Sequence, residues 1–191
     1  QSRGLGDVYK RQHGEMLGSH GHMGKNVWYE ESIHIPLYIR QKGRLAPAKY
    51  KELVASPDHM PTLLGLLDIP VPDTCQGFNH APCIRGEADN APKQAFLCSY
   101  PGMPEMVAAY EKKGRNSKCY GWRGIRTQRY TYVVNNGYTP GERQVRLLYD
   151  NEKDPYQMSP LVITELNQDL VQEYEARLRE YLDMQQDPFL L

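Results

Sequence analysis

The hydrophobic pattern of the chain changes character along its length. A mostly apolar, β-branched run from Ile33 to Ile39 predicts a buried strand that returns to a core. Apolar and polar residues then alternate between Gly121 and Asp150, which predicts an antiparallel sheet. Further on, apolar residues recur every three or four positions and predict an amphipathic helix from about Glu165 to Met184: Leu166, Leu170, Tyr174, Leu178, Tyr181 and Leu182. Because a few-stranded sheet alone is only marginally stable, we expect this helix to cover it.

A second helix and a short strand are predicted between these regions. Ser56 followed by Pro57 is typical of an N-cap and a first helical position. Apolar residues follow with helical spacing as far as Asp68, at Met60, Leu63, Leu64 and Leu67. Residues 74–92 lack periodicity and predict a loop, whereas the weak alternation of residues 95–100 predicts a short strand.

Composition and charge narrow the class of protein. The chain has 191 residues, with 23 basic and 23 acidic side chains, and no basic run that would indicate nucleic acid or a membrane surface as a partner. Its hydrophobic fraction of 40% is low for a complete globular domain, and it has no initiating Met, as expected of a fragment. The pattern does not determine the oligomeric state.

Four cysteines leave the redox compartment open. Cys75, Cys83, Cys98 and Cys119 have no C-x-x-C spacing, which disfavours a zinc ribbon or a thioredoxin-type motif. They are compatible either with two disulfides in an exported protein or with four reduced thiols. No signal peptide or transmembrane span is present in the sequence to decide between the two.

The segment from His13 to Arg40 is the richest in candidate chemistry. It holds four of the six histidines, and His13, His20 and His22 share a glycine-rich stretch that ends at Lys25. Imidazoles bind metals and a lysine binds oxyanions, so this composition suggests a metal-assisted site for a sulfate or phosphate ester. A solvated surface loop and a zinc site made of the three imidazoles remain as alternatives.

The same segment resembles the type I, formylglycine-dependent sulfatases of the alkaline phosphatase superfamily. That family reads D-H-G or D-N-G, then L-G-x-H-G, a lysine and E-E, and the segment here contains H-G-E-M-L-G-S-H-G-H-M-G-K and Y-E-E-S. The resemblance implies that His13 is a metal ligand and that Lys25 is the catalytic lysine that contacts the sulfate. It also implies that His22 helps to bind the substrate.

Further resemblances imply the fold class and the domain organisation. Residues 122–132 and 148–157 resemble the sequence motifs W-R-x-I-R-T-x-R-Y-x-Y and L-Y-D-x-x-x-D-P of the sulfatase C-terminal subdomain. The implied fold is the C-terminal part of an alkaline-phosphatase-like α/β sandwich, covering residues 13–100. A small α+β subdomain with an antiparallel sheet and a helix then covers residues 101–191. Residues 1–12 match nothing in the family, and we interpret them as a foreign or mis-joined leader.

The implied function is hydrolysis of sulfate esters on a small molecule or a glycan, with no nucleic-acid or membrane partner. The family uses a divalent metal, expected here to be calcium, with manganese or zinc as alternatives, and a formylglycine made within C/S-x-P-S-R. That motif is absent and Gln12 stands where the family has Asp, so this chain alone is expected to be inactive. A phosphonate or phosphodiester hydrolase and a non-catalytic binding module are the alternatives, and a periplasmic or secreted location is expected from the resemblance.

Overall fold

The computed structural model describes residues 7–10 and 13–191. Its strands are β1 (Asp7–Lys10), β2 (Leu37–Arg40), β3 (Gln94–Ser99), β4 (Trp122–Thr127), β5 (Tyr130–Asn135) and β6 (Val145–Asp150). Its helices are α1 (Glu30–Ile33), α2 (His59–Leu66), α3 (Ala81–Ile84), α4 (Pro104–Glu111) and α5 (Gln168–Met184). None of the helices in these described ranges is long and apolar enough to cross a membrane.

Four strands form the main antiparallel sheet, in the order β3-β4-β5-β6. Each strand pairs with the next one in the sequence, so Phe96 lies opposite Ile125, Ile125 opposite Tyr132, and Tyr132 opposite Leu148. The alternation predicted between residues 121 and 150 is therefore confirmed, and the short strand predicted near residues 95–100 joins the same sheet as β3. The division of the chain at residue 100 stays a prediction.

One face of this sheet is covered by α5, as the helical stripe predicted. Leu178 is fully buried and Val171, Tyr174 and Leu182 are at most 7% exposed, and they pack against Ile125, Tyr132, Val134 and Leu148. The Tyr174 hydroxyl also lies 2.7 Å from Oγ1 of Thr127 on β4. The stripe begins later than predicted, because α5 starts at Gln168, and Leu166 before it is 99% exposed.

The segment that follows α5 is fixed to the same face of the sheet. The guanidinium of Arg123 on β4, which is 1% exposed, donates to both carboxylate oxygens of Asp187 at 2.8 and 3.1 Å. It also lies 4.7 Å from the ring centroid of Phe189, a cation–π distance. A buried cation is costly without such partners, so this pairing anchors the C-terminal residues beneath the sheet.

The prediction of a buried strand from Ile33 to Ile39 is wrong in extent and in burial. Residues 30–33 form a helical turn, since Ile33 N donates to Tyr29 O at 3.1 Å, and the strand begins only at Leu37. Within the described residues β2 pairs with β1 alone, and its side chains alternate between half-buried and exposed, with Tyr38 68% exposed. An apolar run buries both faces only where other layers cover it.

The second helix has the predicted place but a different cap. A 3₁₀ turn, Ser56–Asp58, leads into α2, and the buried carboxylate of Asp58 accepts from the backbone N–H groups of Ala55 and Phe78, each at 2.7 Å. The fully buried imidazole of His80 lies 3.2 Å from the same carboxylate. The Asp58 carboxylate, rather than the Ser56 hydroxyl, therefore fixes this helix start, by accepting from Ala55 before the 3₁₀ turn and from the distant Phe78.

Two smaller expectations meet different outcomes. The loop expected over residues 74–92 contains the short helix α3. All four cysteines are free thiols, which leaves none of the disulfides that the sequence allowed. Of the proposed leader, residues 1–6 and 11–12 lie outside the described residues, and residues 7–10 form the strand β1 beside β2.

The burial of α5 gives the first testable prediction. Leu178→Ala should lower the free energy of unfolding by about 2–5 kcal/mol, because it removes a fully buried side chain and leaves a cavity. Leu166→Ala is the matched control and should change that free energy by less than about 0.5 kcal/mol, since Leu166 lies in solvent. Urea denaturation of both variants measures the difference, and equal effects would mean that α5 does not cover the sheet.

Candidate active site

The glycine-rich stretch folds into a compact loop that closes on itself. Met16 N donates to Gly24 O at 2.9 Å, and Gly24 N donates to Oε1 of Glu15 at 2.7 Å. Inside this closure Gly18 N donates to His22 O at 2.9 Å. These bonds satisfy the backbone of a segment that forms no regular helix or strand, so the loop has a defined shape.

Helix α1 is the base on which this loop rests. Gly14 N and Glu15 N donate to the carbonyl oxygens of Ser32 and Glu31, each at 3.0 Å. A Cβ at Gly14 would overlap the Glu31 carbonyl, so only glycine allows the backbone to approach this closely. The hydroxyl of the buried Ser32 in turn donates to the carbonyl of Lys25. Both ends of the loop are therefore held against α1.

The face of the main sheet opposite α5 carries the segment that follows the loop. Trp122 Nε1 on β4 donates to Asn26 O at 3.0 Å, and Trp28 Nε1 donates to the Tyr149 hydroxyl on β6 at 3.4 Å. The Trp28 and Trp122 rings meet edge to face, with centroids 5.8 Å apart. Asn26, one residue after Lys25, is thus fixed to the C-terminal sheet.

An ion pair makes the third attachment of the segment to the sheet. Arg126 Nε on β4 lies 2.7 Å from Oε1 of Glu30, and both side chains are about 15% exposed. His34 Nδ1 lies 3.0 Å from Oε2 of the same carboxylate, and Glu30 N donates to Oε1 of the buried Gln157 at 2.9 Å. Glu30 therefore connects α1 to two separate parts of the C-terminal region.

The charges around Glu30 shift the acidity of two groups. Burial by itself would raise the pKa of Glu30, but hydrogen bonds from His34 and Arg126 and the charge of Arg126 hold that pKa below its ordinary value of 4.5. The hydrogen bond to Glu30 raises the pKa of His34 above 6.5, against the opposing effects of burial and of Arg126. The interaction among Glu30, Arg126 and His34 is most favourable when Glu30 is ionised and His34 is protonated.

The structure places the predicted site residues at different depths. The side chains of Lys25 and His22 are exposed, whereas His13 is partly buried and its Nδ1 donates to Gly14 O at 2.6 Å. A neutral imidazole that makes this bond carries its proton on Nδ1, and Nε2 is then the nitrogen whose lone pair could bind a metal. Lys25 and His22 are thus open to a ligand from solvent, and His13 presents one ring nitrogen as a possible metal ligand.

His20 belongs to the base of the loop. Its ring stacks on Tyr29 with centroids 3.7 Å apart and planes 6° from parallel. Its Nε2 lies 3.9 Å from Oε1 of Glu31, and both this nitrogen and Oε2 of Glu31 are buried without a hydrogen-bond partner among the residues that the structure describes. His20 is thus directed toward α1.

The three imidazoles do not assemble the zinc site that the sequence left open. Within residues 7–10 and 13–191, no group of three or more His, Cys, Asp or Glu side chains is placed to hold a metal ion. His13 is engaged with Gly14, and the stacked His20 faces Glu31. Flexibility in the glycine-rich stretch was compatible with convergence of the three rings, but the His20 ring is fixed against Tyr29 and Glu31.

A comparison with protein families identifies the chain. The model of the N-sulphoglucosamine sulphohydrolase C-terminal family matches residues 18–185. The chain belongs to this family. The match begins inside the glycine-rich loop and runs to the end of α5, so it includes Lys25 and both faces of the main sheet.

Curated relatives of this sulfatase C-terminal chain are sulfatases. It is 29% identical over 188 residues to an endo-4-O-sulfatase of Bacteroides thetaiotaomicron, covering 95% of this chain and 36% of the relative. It is 26% identical over 156 residues to human arylsulfatase K, covering 82% of this chain and 27% of the relative. The chain therefore spans about a third of the length of the relatives it matches.

Solved structures agree with the family fold. A B. thetaiotaomicron protein described with the metabolism of multiple glycosaminoglycans superposes with a TM-score of 0.79 at 29% identity, covering 95% of this chain and 37% of that one. The phosphonate monoester hydrolase of Agrobacterium radiobacter superposes with a TM-score of 0.73 at 26% identity, covering 91% and 34% of the two chains. The implied fold class, the C-terminal part of the sulfatase α/β fold with an antiparallel sheet and a helix, is confirmed.

Sequence reasoning missed the residues that fix the sulfatase loop to the sheet. Glu30, Trp122, Arg126, Tyr149 and Gln157 were not among the candidate site residues. Their partners are about 100 residues away in sequence, and no local periodicity reports such a contact. The alternation along β4 was the available signal, because it places Trp122 and Arg126 on the face opposite Ile125.

Removing the charge of Glu30 tests this attachment. Glu30→Gln should lower the free energy of unfolding by about 2 kcal/mol near pH 5.5, because it leaves the half-buried Arg126 without its anion. The Glu30 contribution is complete above about pH 4.5 and is lost as the pH falls through its lowered pKa. The His34 contribution is present below about pH 6.5 and is lost as the pH rises through its raised pKa.

The difference between wild type and Glu30→Gln should therefore be largest between these two limits and smaller on either side. Urea denaturation at about pH 3, 5.5 and 8 measures it. Glu152→Gln is the control, because Glu152 is 66% exposed and lies 3.5 Å from Arg129, a pair that contributes little. A pH-independent difference would contradict the assigned role of Glu30.

Proposed function

We propose that this chain is the C-terminal part of a sulfatase that hydrolyses sulfate esters, with a divalent metal and a formylglycine supplied mainly by the N-terminal part of the protein. The main support for this proposal is the closed loop, which fixes the backbone of Lys25 and leaves its ammonium in solvent. Membership of the sulphohydrolase family and the named sulfatase relatives support the same reaction class. A periplasmic or secreted location remains part of this proposal.

Lys25 has the chemistry to stabilise the transferring group. A lysine ammonium is a compact point charge that offers three hydrogen-bond donors to the nonbridging oxygens of a sulfate ester. Negative charge on those oxygens changes as the ester bond breaks, and a cation fixed beside them stabilises the transition state. The exposed imidazole of His22, three residues earlier, would help to bind the substrate.

The metal is only partly accommodated by the described residues. His13 offers Nε2, since its Nδ1 donates to Gly14 O, but calcium prefers oxygen ligands. Gln12 supplies a neutral amide where the family has a carboxylate, and no cluster of three ligand side chains occurs within residues 7–10 and 13–191. The described residues therefore do not form a complete calcium site, and the other ligands would come from elsewhere in the protein.

The nucleophile, like the other metal ligands, would come from elsewhere in the protein. Formylglycine would supply a hydrated aldehyde that attacks sulfur, and it requires a C/S-x-P-S-R sequence that this chain does not contain. We therefore propose that the 191-residue chain is inactive by itself. The chain contributes the Lys25 ammonium that would bind the sulfate, the His13 imidazole that would bind the metal, and the sheet that supports the loop.

A phosphonate or phosphodiester hydrolase is the second candidate. The Agrobacterium radiobacter phosphonate monoester hydrolase shares the fold with a TM-score of 0.73. A lysine binds the oxygens of a phosphoryl group as well as those of a sulfuryl group, so Lys25 does not discriminate between the two. Parallel assays of an aryl sulfate and a phenyl phosphonate ester would separate these functions, and turnover of neither ester would favour a non-catalytic binding module.

Substitution of Lys25 tests the proposed reaction. In a parent protein with the upstream part restored, Lys25→Ala should reduce turnover of an aryl sulfate by roughly a hundredfold, because one stabilising donor is lost. Lys42→Ala, which removes an exposed lysine outside the loop, should retain wild-type turnover. Steady-state kinetics give the comparison, and wild-type turnover in Lys25→Ala would leave the role of Lys25 without support.

Metal binding by the isolated chain gives a separate test. Calcium should bind the 191-residue chain only weakly, because His13 lacks an acidic neighbour, and Gln12→Asp in the restored parent should strengthen binding. Titration calorimetry with calcium and with zinc measures both affinities. A dissociation constant below about 1 μM for zinc, abolished by His20→Ala, would instead revive the zinc site.

A further inference from the structure

Three polar side chains outside the candidate active site form a hydrogen-bonded series. The fully buried imidazole of His80 lies between two oxygen atoms: its Nε2 is 3.2 Å from Oδ2 of Asp58, and its Nδ1 is 3.0 Å from the Tyr50 hydroxyl. Asp58 directly precedes α2, His80 directly precedes α3, and Tyr50 lies between β2 and α2. A carboxylate, an imidazole and a hydroxyl in this order form the arrangement by which a base activates a nucleophile.

Asp58 and His80 are held in place from several directions. The Asp58 carboxylate is 7% exposed and also accepts from the backbone N–H groups of Ala55 and Phe78, each at 2.7 Å. His80 N donates to Oγ1 of Thr62 on α2 at 3.0 Å, and the rings of Phe78 and His80 meet edge to face with centroids 4.8 Å apart. The imidazole is therefore fixed in one orientation toward Tyr50.

The charge of Asp58 determines which nitrogen of His80 can accept a proton. Burial by itself would raise the pKa of Asp58, but hydrogen bonds from His80 and from the two backbone N–H groups hold that pKa below its ordinary value of 3.8. An ionised carboxylate can only accept hydrogen bonds, so Nε2 of a neutral His80 ring carries the ring proton. The lone pair of Nδ1 then accepts from the Tyr50 hydroxyl, as a general base requires.

Tyr50 is the member of this series that solvent can reach. Its side chain is half-buried, whereas Asp58 and His80 are buried. Burial raises the pKa of Tyr50 well above its ordinary value of 10.0, and the neighbouring Cys83 thiol adds to this rise. The phenol is therefore neutral near neutral pH, and a base must remove its proton as the oxygen attacks. His80 supplies such a base within hydrogen-bond distance.

We propose that Tyr50 is a nucleophilic site separate from the candidate active site, which accepts acyl groups from activated carboxylic esters, with His80 as general base and Asp58 as a positioning residue. The Tyr50 oxygen forms a bond to the acyl carbon while its proton passes to Nδ1 of His80. The bond between that carbon and the leaving oxygen breaks, and an aryl ester releases its phenolate. Asp58 balances the charge of the resulting imidazolium.

Acetylation by p-nitrophenyl acetate tests this site in the 191-residue chain, with peptide mass spectrometry giving the rate at each tyrosine. Tyr50 should react at least about tenfold faster than Tyr38 and Tyr156, because a general base assists it. Those two tyrosines are 68% and 70% exposed, so exposure alone would give the opposite order. Tyr181 is the matched control, since it is half-buried near the Cys98 thiol and no histidine of the described residues bonds to its hydroxyl.

Two substitutions separate the roles of the neighbouring groups. His80→Gln should slow acetylation of Tyr50 by about a hundredfold, because the base is removed, and should leave the rate at Tyr156 unchanged. Cys83→Ser should leave the rate at Tyr50 unchanged, because the thiol is not the acceptor. Circular dichroism checks the fold of His80→Gln, and the order of rates in the wild-type chain decides the matter if that variant unfolds.

Three results would overturn the inference. They are acetylation of Tyr156 or Tyr181 as fast as that of Tyr50 in the wild-type chain, an unchanged rate at Tyr50 in a folded His80→Gln variant, and an acetyl group on Cys83 in place of Tyr50. The site does not involve Lys25, so none of these results depends on hydrolysis of a sulfate ester.

Discussion

The alternation of side chains along strand β4 is the constraint on which the rest of the structure depends. Ile125 points into the core beneath α5, whereas Trp122 and Arg126 point to the other face and hold the segment that carries Lys25. A shift of one residue in register would exchange these two sets. The pairing that buries the apolar core is therefore the same pairing that positions the candidate active site.

This arrangement explains why the glycine-rich loop can be ordered without a regular element of its own. Its contacts with α1 are local, but α1 itself is fixed by Arg126 and Gln157, which are 96 and 127 residues away from Glu30 in sequence. Loss of the C-terminal sheet would leave a short helix of four residues, which is not stable alone. The main sheet thus acts as the support of the loop.

The sequence was most informative where structure follows from a local period. The alternation of β5 and the stripe of α5 predicted the sheet, its faces and its covering helix, because each pattern reflects one buried face. Apolar content was a poorer guide at Ile33–Ile39, since it does not reveal which neighbours cover a strand. His20 shows the same limit, because spacing predicts which residue types share a loop but not their orientation toward Tyr29 or a ligand.

The site also illustrates how the position of a candidate catalytic residue is fixed by groups outside the candidate site. Lys25 is held through its backbone, by Ser32 on one side and by Asn26 on the other, so its ammonium remains free for a ligand. A group positioned in advance needs little reorganisation when charge develops on the substrate. Because Ser32 and Trp122 provide these contacts, the backbone beside Lys25 is held by groups other than the candidate metal ligand His13, so the proposed roles of the lysine and of the metal can be tested separately.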